Sequence, residues 1–392
     1  MSNKIKERRL ASANVPEKNR AEAVNVDVKQ KRSVLKGIIL AIAIIVAVAA
    51  LLLVVVNVFI NNLSEDMSDG NYKDTVPDSF SEKYMQSNIL YNGALASNKD
   101  FKNYSAVATN NHSKVVNNIK DTDNVFNYAI FGVEDAEDGS LSVDMIVIAS
   151  VNKDTEKLTY VLIDATSLVY IPYANVVGQL KDAYNISNAN LLARTISQNF
   201  GIDIDGYVDV KLTKAVEMID IIGEENGGIE LVMTQEEVDK LNLAIKAYNE
   251  RFELDGSKQI ASITKTGDKV TLDGKQTAAY IRGISSDRGA SVFKVFEEMT
   301  KMALADGVKG INTFADILAE NATTSTDSDG FSQVLQIAAK TTSDALQDKL
   351  VTIDLGKDQK DFVTVGMGCY FTIYDDYDKL VSELQAKLYS AE

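Results

Sequence analysis

The side chains able to do chemistry in this 392-residue chain are limited in kind. There is one histidine, His112, in the polar run TNNHSK, and one cysteine, Cys369, in GMGCYFTIY. With one of each, a Cys/His zinc cluster is excluded, because it needs several such ligands converging on one ion, and a His-based triad is set aside because the one histidine lies in a polar surface run. An intramolecular disulfide is excluded as well. Cys369 reads as a small buried hydrophobe, and His112 as a surface residue. No GxxxxGK[ST] loop is present, and no GxGxxG opens a helix after a strand, so neither pattern that cradles a nucleotide's phosphates is available. The stretch YVLIDATSLVYIP (160–172) is more suggestive. Its first half is an apolar, β-branched strand. It ends in Asp164, Ala165, Thr166 and Ser167, and in α/β proteins such strand ends are where ligands bind.

Charge is unevenly spread. Residues 1–36 hold ten Lys/Arg and four Asp/Glu, residues 37–60 hold none, and the remainder carries thirty basic against fifty-two acidic residues. That acidic remainder excludes a nucleic-acid partner, since phosphate binding needs clustered Lys and Arg. The uncharged run GIILAIAIIVAVAALLLVVVNVFI exceeds the roughly 20 residues that span a bilayer as a helix. It is too long for the apolar part of a cleaved signal peptide and lacks a small-x-small site at its end. Lys29, Lys31, Arg32 and Lys36 crowd its amino-terminal side. The positive-inside rule then predicts a single-pass protein of the cell membrane, with a cytoplasmic amino terminus and residues 61–392 outside.

Beyond the span, residues 61–80 read as a polar tether and 81–125 as an accessory helical region. Apolar runs at 126–132, 141–151 and 157–165 predict strands, two of them covered on both faces. Helical stretches follow at about 174–200, 212–222 and 234–251, with strands at 205–210 and 227–233 between them. A long helix is predicted at about 289–305, another near 310–320, and a polar loop at 321–330. The strands LVTIDL and FVTVGMGCYFTIY and a last helix, DDYDKLVSELQAKL, complete 306–392. Strands alternating with helices predict an α/β fold, an αβα sandwich with a central mixed sheet.

Several stretches carry a resemblance. YAIFGVED is similar to an opening strand and "GVD" turn, with Glu134 for the usual Asp. VDMIVIASVNKDTEKLTYVLI aligns without a gap with "SDTMMLVSINPKTKKVTLLSI", which puts Asp144 and Asn152 on its Asp and Asn. FGIDIDGYVDVKLTKAVEMIDIIG is similar to a segment ending in "VDALGG", and LDGKQTAAYIR to "LDGEQALAYVR". In this order and spacing, over about residues 126–305, they resemble the LytR-CpsA-Psr family of bacterial cell-envelope proteins. The resemblance implies transfer of an anionic glycopolymer from a polyprenyl-pyrophosphate carrier to peptidoglycan, with Mg²⁺ as cofactor. An apolar slot would hold the lipid, and arginines would clamp the pyrophosphate.

The register carries over Asp144, Arg282 and Asp287, while Arg288 is off register and Asp164 stands on the family's Pro. A site remodelled around them would use Arg282 and Arg288 as catalytic residues, Lys181 and Asp287 to bind substrate, and Asp144 and Asp164 to hold the metal. The same register shows losses. Where the family has "SIPRDTYVDIP", this chain has LIDATSLVYIP, so Ala165 stands for an arginine and Thr166 for an aspartate. Where it has "YVRSR…DFGRQQRQ", Ile284, Ala290 and Phe293 stand for further arginines. Ala165, Ala290 and Phe293 are expected to share one cleft with Asp144 and Arg282. Each lost charged partner of a buried anion costs roughly 2–5 kcal/mol, so impaired or altered catalysis is expected. The alternative is a non-catalytic lipid-binding or scaffolding protein of wall assembly. A transcription-attenuator reading finds no helix-turn-helix in the basic tail.

Overall fold

The chain divides into two compact units, Met1–Val58 and Phe59–Glu392. The computed structural model describes residues 99–135, 141–223, 227–251, 256–283, 288–305, 322–325, 348–358, 360–365 and 369–390, all in the second unit. The predicted membrane span at 37–60, the tail before it, the tether after it and the helix expected near 310–320 lie outside them. Among the described residues, no helix is long and apolar enough to cross a membrane.

A six-stranded sheet forms the centre. It is built from β1 (Val125–Asp135), β2 (Leu141–Asn152), β3 (Lys157–Ile163), β6 (Gly206–Lys211), β9 (Ala322–Thr324) and β10 (Leu350–Asp354), in the order β10-β3-β2-β1-β6-β9. The β1–β6 and β10–β3 pairs are parallel and the others antiparallel, so the sheet is mixed. The carboxyl ends of β1, β3, β6 and β10 therefore share one edge with the amino end of β2.

Alternation along each strand divides the sheet's side chains between two faces. Phe131, Ile146, Val161 and Ile163 enter the larger core with α2 (Asp182–Ile186), α3 (Ala189–Phe200) and the carboxy-terminal α8 (Tyr377–Tyr389). Ile130, Val147, Tyr160 and Leu162 face the other way, onto Val292 and Phe293 of α7 (Arg288–Ala305). Helices thus cover both faces, as the sandwich predicted. The first described helix, α1 (Lys99–Val115), buries Phe101 and Ala108 against Leu168, Val177 and Phe371.

Local chemistry explains the ends. Asn188 caps α3 by accepting from the Asn190 and Leu191 amides, and Gly201 closes it at φ 70°, in the left-handed region. Asn152 Oδ1 accepts from the Asp154 and Thr155 amides in the β2–β3 turn. Its Nδ2 reaches the Leu388 carbonyl of α8 at 3.0 Å. This motif asparagine is thus a structural clasp.

The sequence reading differs from the structure at 174–200. A hairpin of β4 (Leu168–Ile171) and β5 (Val176–Gln179) comes first, and the helices α2 and α3 follow. Pro172, with Tyr173 at φ 66° and Asn175 at φ 59°, turns the chain back on itself. FVTVGMGCYFTIY likewise forms two antiparallel strands, β11 (Lys360–Val365) and β12 (Cys369–Tyr374).

A satellite layer holds α4 (Leu212–Ile222), the hairpin of β7 (Ile229–Met233) and β8 (Gly267–Leu272), α5 (Gln235–Arg251) and α6 (Gly274–Gly283). Its apolar core joins Ile229, Leu241, Leu272 and Tyr280 to Val295 of α7. The start of α6 crosses α4 closely. A Cβ on Gly274 would stand 2.3 Å from the Val216 carbonyl oxygen, so only glycine fits there. On α5, Asn242 and Asn249 each exchange two hydrogen bonds with the backbone of an extended segment, at Ile263 and Ile260 respectively.

Candidate active site

The ladder between β1 and β2 slips once. Gly132 faces Met145 and Val133 faces Val143, which leaves Asp144 as the extra residue of a β-bulge. A bulge re-aims the side chain it displaces. Val143 enters the larger core, and Asp144 with Met145 turns to the α6–α7 face. Glu134, one residue beyond Val133 on β1, alternates onto that same face. Arg282, in the last turn of α6, closes the group. Its Nη1 donates to Glu134 Oε1 at 2.9 Å, and its Nη2 to Glu134 Oε2 at 2.6 Å and Asp144 Oδ2 at 3.0 Å. All three side chains are about one-third exposed, at 32%, 31% and 34%. Burial pulls the guanidinium pKa down, but the hydrogen bonds and charge of Glu134, then the charge of Asp144, raise it above its ordinary value.

Glu134, Asp144 and Arg282 form the polar rim of an apolar cavity of about 180 Å³ between the sheet and α4, α6 and α7. Its walls include Ile130, Met145, Val208, Val210, Val216, Met218, Ile281, Val295, Phe296 and Met299. The structure therefore brings Asp144 and Arg282 together, as predicted, at the mouth of an apolar slot.

The strand end of β3 carries a second charged group. Asp164 Oδ1 accepts from the Thr166 amide at 3.0 Å and its hydroxyl at 2.8 Å. Lys360 Nζ lies 3.9 Å from Asp164 Oδ2 and 3.3 Å from Asp354 Oδ1. Asp354 pairs across β10 and β3 with Leu162, so both carboxylates lie on the α7 face. A Cβ on Gly289, at the start of α7, would fall 2.6 Å from Asp354 Oδ2. Asp354, Asp164, Asp144 and Glu134 thus stand on four successive strands, along one edge and one face, with Lys360 and Arg282 between them.

Other positions fall elsewhere. Ala165 does not share the cleft with Phe293: Ala165 is buried in the larger core with Ile163, whereas Phe293 packs on Leu162 and Tyr160 across the sheet. Strand alternation is the reason, since Asp164 takes the α7 face and sends Ala165 the other way. Ala290 is exposed in the first turn of α7. Lys181 donates its backbone N–H to the Ala165 carbonyl at 2.9 Å, which sets it beside the strand end. Arg288 opens α7. The Arg288 side chain, Asp287 and Ile284 lie outside the described residues. Glu134, Asp354 and Lys360 went unassigned in the sequence reading. For Glu134 the signal was present, as an acid beside the "GVD" turn. Lys360 and Asp354 lie far along the chain, and no motif marks them.

The donor set bears on Mg²⁺. That ion is usually held by one or two carboxylates together with substrate phosphates. Glu134 and Asp144 converge on one guanidinium, and Asp164 stands on the next strand, so the oxygens suit a hard cation. Among the described residues no three His, Cys, Asp or Glu side chains form a metal-holding group. The protein's share of such a site is therefore partial, and phosphate oxygens would have to complete it.

A family model described as the LytR_cpsA_psr family matches residues 90–385. Among characterised proteins, the chain is 26% identical over 184 residues to the polyisoprenyl-teichoic acid–peptidoglycan teichoic acid transferase TagU of Enterococcus faecalis. That match covers 46% of this chain and 52% of TagU, so the chain spans about half the length of this relative. Among solved structures it is similar to B. subtilis TagV, with a TM-score of 0.52 and 17% identity over 68% of this chain and 98% of TagV. It is also similar to B. subtilis TagT, with a TM-score of 0.50 and 16% identity over 70% of this chain and 96% of TagT. At these identities the structural likeness shows the fold.

Proposed function

The chain belongs to the LytR_cpsA_psr family, and from that premise we propose that it binds a polyprenyl-linked glycopolymer and acts in its transfer to peptidoglycan, with impaired or altered catalysis. The observation that carries this reading is the apolar cavity rimmed by Arg282, Glu134 and Asp144. The cavity suits a hydrocarbon chain, and the rim suits its charged head. The TagU relative, a polyisoprenyl-teichoic acid–peptidoglycan transferase by name, supports the substrate class.

The reduced activity follows from charge. A pyrophosphate at the rim meets one guanidinium already shared by two carboxylates, so the rim's net charge is negative. Ala165 is committed to the core and Phe293 to an apolar cluster, and neither offers a cation. Mg²⁺ would be held by Asp144 with Asp164 or Glu134, and when bound it would neutralise phosphate charge. Arg282 orients the head through its fork of donors, and the apolar wall excludes water. The sequence reading adds Arg288, Lys181 and Asp287 as further substrate contacts, and they belong to the same proposal. Anchoring by 37–60, with the folded unit at the outer surface of the cell membrane, would bring this mouth to its lipid.

The test is release of polyprenyl phosphate from a polyprenyl-pyrophosphoryl saccharide by the full chain in detergent, with and without Mg²⁺. Slow, Mg²⁺-stimulated release that Arg282→Met abolishes is expected. Binding without any release supports the second reading, a non-catalytic lipid-binding protein, which the neutralised Arg282 favours. Fast release without Mg²⁺ contradicts the altered-site reading.

A further inference from the structure

The strand end where Ala165 stands for an arginine is also where the β11–β12 hairpin docks. The Thr372 amide donates to the Thr166 carbonyl at 3.0 Å. The Thr166 and Thr372 hydroxyls meet at 2.9 Å, and those of Ser167 and Tyr374 at 2.8 Å. Thr372 and Tyr374 are two apart on β12, so both lie on one face of the hairpin. Tyr374 stands opposite Lys360 in the β11–β12 register, which puts the Lys360 side chain on that same face. The hairpin thus delivers Lys360 to the end of β3, through hydrogen bonds in which Lys360 has no part. The ammonium is loosely held once there. Nζ makes one hydrogen bond, to Asp354 Oδ1 at 3.3 Å. Asp164 Oδ2, at 3.9 Å, lies beyond hydrogen-bond length. A lysine has three N–H donors, so among the described residues Lys360 gives one and keeps two. Its side chain is only 16% exposed, and a buried charge with unmet donors is costly unless a ligand meets them.

We propose that Lys360 is a second phosphate-binding cation of the site, brought in by the hairpin where the strand end itself offers none. The proposal rests on the lipid-carrier reading above and adds a residue that no motif marks. Asp164 and Asp354 lie on the sheet edge and face that Asp144 and Glu134 share, so Lys360 and Arg282 border one charged edge from opposite ends. Their roles differ by chemistry. The guanidinium is a planar fork that fixes orientation, whereas the ammonium is a compact charge on a flexible stem that follows an oxygen wherever it sits. Asp354 competes with the phosphate for that ammonium, so this carboxylate sets how tightly the head is held.

The test compares geranylgeranyl pyrophosphate with the uncharged geranylgeraniol, by calorimetry on the full chain in detergent. Lys360→Met should weaken the pyrophosphate by roughly tenfold, the effect of one charged hydrogen bond, and leave the alcohol unchanged. Lys360→Arg, which keeps the charge, should retain most of the affinity. Asp354→Asn should tighten the pyrophosphate severalfold by freeing the ammonium, and the gain should vanish when Lys360→Met is added. A lysine that only pins the hairpin predicts no such gain. Hydrogen exchange at the Thr372 amide should be the same in Lys360→Met as in the unaltered protein, because the hairpin docks without the lysine. Unchanged affinity in Lys360→Met, equal loss for the alcohol, faster exchange at Thr372, or a gain from Asp354→Asn that persists without Lys360 overturns the assignment. Equal binding of both ligands by the unaltered protein keeps the lipid reading and removes the lysine's role. If neither binds, the lipid-carrier reading itself fails and the assignment falls with it.

Discussion

Glu237 shows how much one side chain can gather. Burial alone would raise its pKa, but hydrogen bonds from Lys294, the Thr234 amide and hydroxyl, and Tyr280 bring it down to about 2. With Thr234 it forms a reciprocal cap on α5: the Glu237 amide donates to Thr234 Oγ1 at 3.2 Å, and the Thr234 amide donates to Glu237 Oε2 at 2.8 Å. A carboxylate whose pKa is lower folded than unfolded stabilises the protein fully above its unfolded pKa. That contribution is lost as pH falls through the folded value. Here the loss should run from about pH 4.5 down to about 2. Thermal melts of Glu237→Gln should therefore lie below the unaltered protein at pH 6, and the gap should shrink as pH falls toward 2.5. A gap of constant size would show that this carboxylate acts through packing instead. The sequence predicted the helix at 234–251 but not this cap. Its partners Tyr280 and Lys294 come from α6 and α7, and only the fold brings them.

At the scale of elements, a helix and an extended segment meet in register. Asn242 and Asn249 are seven residues apart on α5, roughly 10.5 Å at 1.5 Å per residue. Ile263 and Ile260 are three apart on an extended chain, roughly 10 Å at about 3.4 Å per residue. The two spacings agree, so both asparagine amides find both backbone partners. Asn249→Ala leaves the Ile260 amide and carbonyl without their partner and should cost about 1–3 kcal/mol. Hydrogen exchange at the Ile260 amide should accelerate while that at Ile263 changes less. Equal protection in the variant would mean that the segment is held by its buried isoleucines alone. Long periodic elements such as α4, α5 and β2 were legible in the sequence because their patterning agrees with their burial. The β4–β5 hairpin was not, because four-residue strands carry too little periodicity to compete with the helix beside them. The Arg282–Asp144 contact was legible only through the family register. Its cause, the bulge, depends on the pairing of β1 with β2 and leaves no mark within either strand.

At the scale of the molecule, the proposed anchoring makes a separate prediction. Protease added to intact cells should digest the unit that contains residues 99–390, and permeabilisation should add no further cleavage. Protection of that unit would place it inside and remove the cell-surface reading. One more property follows from the way the fold closes. Helix α8 contributes Tyr377, Leu380, Val381, Leu384 and Leu388 to the main core. It also ties down earlier segments, through Asn127 to the Tyr389 hydroxyl at 2.8 Å, Gln385 to the Gly201 carbonyl and Tyr377 to the Asn199 carbonyl. Residues 377–389 are thus the keystone, and the main core stays incomplete until they have left the ribosome. Up to that point the nascent chain is a loose thread, the form that the proposed placement outside the membrane would need for passage through a narrow export channel. Deleting α8 should then leave synthesis and passage intact while yielding a product that never sets.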